Sequence, residues 1–456
     1  MVNPIVTVNV SVTQAPAPSL LQRTGAMISQ GGTTKAAQSL TLLTQLSDLT
    51  NILAGSKAIT SMTWSGSVVT VTTTSPHGWT NGDTIGVTIA GVTPSGYNGS
   101  FTATITGTST FTYPLASNPG SVTVQGNVTD ADVAELLAMG TTFFAQPTQQ
   151  SVYVLELGAG SPDEGVTGLT TFLTANPATI YSFLVPREWD NDTNFITLAR
   201  NNDTPSSKLY FFVTTTVANR AVYAGIKSVL ALVEAPAIPV TEFSLAAVWA
   251  VTLGYNPTST NRVPPLAFAY VYGVTAYPLA GNSTTLTQLA TANVSYVTTG
   301  AEGGISNTIV KYGHTADGNP FNYWYSADWA QLNVDLNLSN EVINGSNSTL
   351  APLYYNQQGI NRLQNRAAQT FGQAITNGLA LGQVVLTQLP AATFAANFAA
   401  GLYNGQLAIN AEPFTVYTAE NPSDYAIGKY GGLAAVYTPL RGFEAIFFNL
   451  NVTNFA

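Results

Sequence analysis

The chain has 456 residues, no cysteine, a net charge of −9 and only 8% Asp, Glu, Lys and Arg. Its length allows roughly two to four domains and a substantial core. The missing thiols exclude disulfides and zinc–thiolate sites, and the acidic balance without a Lys/Arg run offers no phosphate footprint for a nucleic acid. Charge this far below the usual ~25% leaves a surface of Ala, Thr, Asn, Gly, Ser and Gln. Such a surface repels its copies weakly and suits packing against them. It also suits a secreted or phage-encoded protein with neutral surface residues.

In NPIVTVNVSVT, Val6, Val8, Val10 and Val12 alternate with polar residues, which predicts a strand with one buried face. Ala15-Pro-Ala-Pro-Ser19 follows as a stiff, extended connector. Together they read as an arm, or as an edge strand folded on its own domain. The opening lacks the basic-then-apolar pattern of a signal peptide. Leu20 to Ser29 allows a short strand. Leu42, Leu46, Leu49 and Leu53 predict a helix within Thr34 to Leu53.

The texture changes at Thr60. Runs such as SVVTVTTT, TIGVTIAG and GSFTATITG are separated by Pro76-His-Gly78, Asn81-Gly82-Asp83 and Asn98-Gly99. Between Ile59 and Thr129 the only Asp, Glu, Lys or Arg is Asp83. Residues 60–128 therefore read as a small barrel or sandwich of five or six strands, inserted before a helix that carries Asp130, Asp132 and Glu135 in its first turn.

Residues 151–232 alternate between strand and helix. SVYVLELG is a buried strand, and Ser161-Pro-Asp-Glu164 is a capping box with Pro at the first helical position. Strand IYSFLVP, a helix through Phe195 to Ala199, strand KLYFFVTTT and a helix AGIKSVLALV complete a β-α-β-α-β order, which predicts a parallel sheet covered by helices. Beyond it come helix SLAAVWAVTLG, strand-like AFAYVYGV, a short helix Leu286 to Ala292 and strand NVSYVTT. Phe321 to Ile343 shows aromatic and alternating residues without a settled period. Ile360, Leu363, Ala367, Phe371, Ala374 and Gly378 share one face of a helix, followed by FTVYT, a loop and strands AAVYTPL and AIFFNLNV. In the last of these Ile446, Phe448, Leu450 and Val452 point one way, with nothing downstream to close a hairpin. Prolines interrupt the longest apolar stretch, Val263 to Gly281, which argues against membrane insertion.

Chemistry is sparse. His314 could join Asp317 or Asp328 in a Ser-His-Asp arrangement, but no G-x-S-x-G elbow supports it. His77 and His314 have no metal-ligand spacing. The pairs Asp163/Glu164, Asp190/Asp192 and Asp130/Asp132 could flank a glycosidic bond; helix caps and helix dipoles account for them as well. Arg362 and Arg366 lie one helical turn apart and present either a contact for an acidic partner or a solvated face. No enzyme activity, cofactor or metal is expected.

The run SPHGWTNGDTIGV…GYNGSFTATITG resembles small β modules of phage virion proteins. Outside it, the VTVNVSV arm, TLLTQLSDL, SVYVLELG, VPPLAFAYVYG, TANVSYVTTGAEGG, YYNQQGINRLQNRAAQ and FEAIFFNLNVT occur in an order that resembles the contractile tail sheath proteins of bacteriophages. The unusually low charge departs from that family. The resemblance implies a mixed α/β, multi-domain fold. Its parts would be an arm (1–19), a body (20–59 with 129–150), an inserted module (60–128), an α/β sheath domain (151–345), an inner domain (346–442) and a C-terminal arm strand (443–456). It implies a virion protein, present in host cytoplasm during assembly, that stacks as hexameric rings around a tail tube and contracts to drive the tube into the cell for genome ejection. Its partners would be copies of itself, the tube protein, and baseplate and tail terminator proteins. Strand exchange would run through Val6, Val8, Val10, Val12, Ile446, Phe448, Leu450 and Val452, with Arg362 and Arg366 touching tube or neighbour. The rivals are a tail-tube or tail-fibre glycan-binding protein and a carbohydrate-active enzyme.

Overall fold

A computed structural model describes residues 21–147, 151–258, 260–301 and 305–445. A 3-10 turn leads into β1 (Gly25–Ser29), which lies in the interior of a six-stranded sheet. The expected helix over Thr34 to Leu53 is instead β2 (Ser39–Leu43) and the one-turn α1 (Leu46–Thr50). Pairing of β2 with a later strand overrides the leucine spacing. Asp48 then starts α1 by accepting hydrogen bonds from the Thr44 N–H (2.8 Å) and hydroxyl (2.7 Å).

The inserted module is a closed barrel. Its strands are β3 (Lys57–Ser65), β4 (Val68–Thr73), β5 (Thr84–Ala90), β6 (Gly99–Ile105), β7 (Thr110–Pro114) and β8 (Asn127–Asp130), in the order β3-β4-β7-β6-β5-β8. Val69, Val71, Val87, Phe111 and Tyr113 point inward, and the threonines between them face out. Closure removes the edges that such Thr/Val strands would otherwise expose. The barrel is welded to the body. β8 runs into α2 (Ala131–Phe144), whose N-cap Asp130 accepts from the Asp132 N–H (3.0 Å) and from Trp79 Nε1 (2.9 Å).

The main sheet continues with β9 (Val152–Glu156), α3 (Pro162–Ala175), β10 (Ser182–Leu184), α4 (Thr193–Asn201), β11 (Tyr210–Thr215) and β12 (Val229–Val233). The strand order is β12-β11-β10-β1-β9-β2, parallel except for the β2–β9 pair. SVLALV was expected to be helical; it is the edge strand β12, paired with β11 through Phe211↔Val229 to Thr215↔Val233. A short continuous apolar run fits both states, and the sheet decides between them.

Both faces of the sheet are covered, which is why its strands are apolar throughout rather than alternating. One face packs Met27, Val154, Phe212 and Leu230 under α2 and α5 (Ser244–Leu253), with Trp249 between them. The other packs Ile28, Leu155, Phe183 and Phe211 under α3 and α4, with Leu289 of α6 (Ser283–Thr291). Glu156, at the end of β9, is 1% exposed. It accepts from Ser29 Oγ, Thr33 Oγ1 and the N–H groups of Gly31, Thr33 and Gly158 at 2.6–3.1 Å, which locks the loop after β1.

The hairpin β13 (Tyr296–Ala301) and β14 (Ile305–Lys311) follows. AFAYVYGV forms no strand of its own; it lies along β14 through the bridge Tyr270↔Ile309 and main-chain bonds of Phe268 and Ala269 to Val310 and of Val271 to Thr308. Phe321 to Ile343 lies in a 27-residue helix, α7 (Phe321–Asn347). Asp328 on α7 is 1% exposed and accepts the hydroxyls of Tyr181 (2.9 Å) and Tyr210 (2.8 Å), pinning the helix to the sheet.

Candidate assembly surface

α8 (Gln357–Thr376) returns along α7 and buries Ile360, Gln364, Ala367, Phe371 and Ala374. It covers a small sheet made of β16 (Val384–Thr387), β17 (Leu407–Ala411) and β18 (Leu433–Val436), in that order. Between these strands lie α9 (Ala391–Ala399), α10 (Phe414–Glu420) and α11 (Pro422–Ala426), while β15 (Ala380–Leu381) pairs with β19 (Thr438–Pro439). FTVYT thus opens a helix after Pro413, and AAVYTPL divides into β18 and β19.

Among the described residues, β16 and β18 each have one strand partner, β17. The sheet is stiffened from its covered side. Gln364 Nε2 donates to the carbonyls of Thr387 (2.7 Å) and Ile409 (2.9 Å), tying β16 to β17. Buried Asn410 accepts from Thr387 Oγ1 and the Leu389 N–H and donates to the Leu389 carbonyl, all at 2.9 Å. Exposed apolar side chains gather in the same unit: Leu386 on β16, then Phe398, Leu402, Tyr425 and Ile427. Unpaired strand edges with rigid backing and apolar neighbours can accept a further strand through main-chain hydrogen bonds.

Arg362 and Arg366 lie beside this sheet, on α8. Both face Glu341 of α7: Arg362 Nε is hydrogen-bonded to it, and Arg366 Nε is 4.0 Å away. Arg362 also donates to the Ala351 carbonyl (2.8 Å), and Arg366 donates to Asn337 Oδ1 (2.9 Å). About a third of each side chain remains exposed, on the wall of a 720 Å³ groove where Leu350 is 98% exposed. The eight arm residues, Val6, Val8, Val10, Val12, Ile446, Phe448, Leu450 and Val452, lie outside the described residues.

The candidate catalytic groups do not converge. His314 Nε2 lies 2.8 Å from Glu444, not from Asp317 or Asp328. Asp317 accepts from Thr315 and Asn319 in its own loop and from Trp324 Nε1 in the first turn of α7. Glu164 completes the capping box of α3, and Asp192 caps α4 by accepting from the Phe195 N–H (2.7 Å). Asp190 accepts from Asn219 (2.8 Å) and Tyr223 (3.2 Å). Burial pushes the Asp130 carboxyl up to about 6 and Asp132 well above its ordinary range. Among the described residues no group of three His, Cys, Asp or Glu side chains could hold a metal, and no helix is long and apolar enough to cross a membrane.

Sequence reasoning missed Gln364 and Glu444. Gln364 was detectable as a polar residue inside an apolar helical stripe. Nothing local marks Glu444 as the partner of His314, 130 positions away.

The chain matches no family model and no curated protein. Solved structures similar to it include a sheath tail protein from Listeria innocua, at 10% identity and a TM-score of 0.39, covering 78% of this chain and 85% of that one. A second is a sheath tail protein from Desulfitobacterium hafniense, at 11% identity and a TM-score of 0.38, covering 83% and 91%. A third is a chain in the anti-feeding prophage baseplate in its contracted state, at 10% identity and a TM-score of 0.45, covering 99% and 98%.

Proposed function

We propose that the chain is a non-enzymatic structural subunit of a contractile phage tail sheath. The observation that carries this reading is the β16-β17-β18 sheet, an acceptor with two outer strands that each have one partner among the described residues. The chain also contains two alternating strand sequences, 6–12 and 446–452, that suit such an acceptor. On this reading Val6, Val8, Val10 and Val12, and Ile446, Phe448, Leu450 and Val452, add strands to sheets of neighbouring copies. Main-chain hydrogen bonds then keep hexameric rings connected while the bodies rotate during contraction. Residues 346–442 form the inner unit, Arg362 and Arg366 face tube or neighbour, and the barrel of residues 60–128 decorates the outside. The subunit belongs to the virion, is made in host cytoplasm, and meets tube, baseplate and terminator proteins.

Negative-stain microscopy of purified protein tests this. Full-length chain is expected to form tubes with six-fold rings, and chains lacking 1–14 or 443–456 are expected to stay monomeric with unchanged circular dichroism. Monomers at every concentration of the full chain, or tubes from both deletions, would refute it.

A further inference from the structure

A second apolar face stands apart from the sheet edges. Pro264, Pro265, Phe268, Tyr270 and Tyr272 line a groove of about 450 Å³. The three rings are 40–53% exposed, while Val271 between them is buried in the core. Phe268 has a φ of 66°, a left-handed conformation that bulky side chains avoid. Its N–H donates to the Val310 carbonyl (2.8 Å), and the Lys311 ammonium sits 4.7 Å from its ring centre. The backbone is thus held where the rings face outward.

The C-terminal end of the described chain arrives at this groove. Leu440 accepts from Asn322 Nδ2 (2.9 Å). Gly442 lies so close to Pro265 that a Cβ there would fall 2.4 Å from it. Glu444 is bonded to His314, and its carbonyl accepts from the same Lys311 (3.4 Å) that covers Phe268. The other end of the described chain lies elsewhere, where Leu21 lines a groove with Leu173, Ile180 and Leu332.

We propose that in the unassembled chain residues 446–452 lie on the chain's own Phe268–Tyr272 face, and that a neighbouring sheet edge displaces them on assembly. At ~3.3 Å per residue, the eight residues after Glu444 reach about 26 Å, twice the span of a five-residue face. The outward rings alternate with inward residues, and in the sequence Ile446, Phe448 and Leu450 recur at the same period of two, so the two apolar patterns match. A short tether gives a local concentration on the order of millimolar. At micromolar protein the cis contact therefore outcompetes a second copy about a thousandfold. The cis contact belongs to the unassembled chain and is tested without tubes, whereas its displacement by a neighbour rests on the proposed sheath function.

The chain has no native cysteine, so engineered pairs give a clean test. Tyr270→Cys is combined with Phe448→Cys or with Leu450→Cys, and the full-length variants are oxidised at about 1 µM. Tyr354→Cys with Leu450→Cys serves as a control at another exposed site. The expected result is an intramolecular disulfide, of monomer mass, forming at least tenfold faster in one of the Tyr270 pairs than in the control. Closure no faster than the control overturns the proposal. So does a product made only of dimers and ladders, which would assign the face to a second copy. Tyr270 is half exposed, so its replacement should leave folding intact, and circular dichroism checks each variant.

Discussion

Asp328 gives the sharpest quantitative expectation. It is 1% exposed, and burial raises its carboxyl to about 6, opposed chiefly by the ammonium of Lys227 and the hydroxyls of Tyr210 and Tyr181. Its ordinary value is 3.8, so the folded state binds the proton more tightly than the unfolded chain. The stabilisation is therefore fully present below pH 3.8 and is lost as the pH rises through 6. A shift of about two units at ~1.4 kcal/mol per unit amounts to about 3 kcal/mol in full, of which about 2.5 kcal/mol falls between pH 4 and pH 7.5. Asp328→Asn removes the titration and keeps a carbonyl that can accept the tyrosine hydroxyls. Relative to the parent, the variant should gain about 2.5 kcal/mol on going from pH 4 to pH 7.5. Urea unfolding of dilute protein, with parent and variant in parallel across that range, measures it. The difference between the two curves cancels other buried carboxyls such as Asp130 and Glu135, which shift in the same direction. A difference flat in pH would mean that Asp328 does not titrate in the folded protein, and the reasoning fails.

Three further substitutions follow from single contacts. Glu156→Gln turns a carboxylate with five donors into an amide with one acceptor oxygen, and should cost on the order of 3 kcal/mol in thermal or urea unfolding. Gln364→Leu strands the carbonyls of Thr387 and Ile409, so hydrogen exchange should rise in β16 and β17 while the main sheet keeps its protection. Trp79→Phe leaves Asp130 without its indole donor. The loss should be about 1–2 kcal/mol, and larger at pH 8 than at pH 5, where the stranded carboxyl is protonated.

The sequence was most legible where one period dominated. The Thr/Val alternation of residues 60–128 announced a β module, and the strand order of 151–215 announced a parallel sheet. It misled where a short apolar run fits two states. SVLALV and the leucines of 42–53 have helix-compatible spacing, and only pairing with β11 and β9 turns Val229–Val233 and Ser39–Leu43 into strands. In α7 the signal was present but diluted. Phe321, Tyr325 and Trp329 mark a helical face at i, i+4 and i+8, yet the second half of the helix is Asn-rich and largely exposed. On the assembly surface, the buried face of α8 was readable. The Gln364 bridge to two strands and the Lys311–Glu444–His314 clamp depend on contacts far apart in sequence.

The low charge acquires a structural meaning once the ionic groups are placed. Arg187 holds Glu234 at 2.9 Å and lies 4.1 Å from the Phe243 ring centre. Lys227 donates to the carbonyls of Thr204 and Ser207 and sits 4.7 Å from the Trp324 ring centre. Glu156 and Asp328 are buried, and Arg362 and Arg366 both face Glu341. Many of the few charges thus fix one element against another inside the subunit. On the proposed reading, long-range ionic steering between copies would be weak, because exposed ion pairs are scarce among the described residues and salt screens those that remain. On the proposed reading, cohesion between copies then falls to main-chain pairing at β16 and β18 and to the apolar side chains around them. Those contacts depend on strand register rather than on charge. On that same reading, a chain that docks its own residues 446–452 until a neighbour's sheet edge arrives would keep an apolar segment covered before assembly.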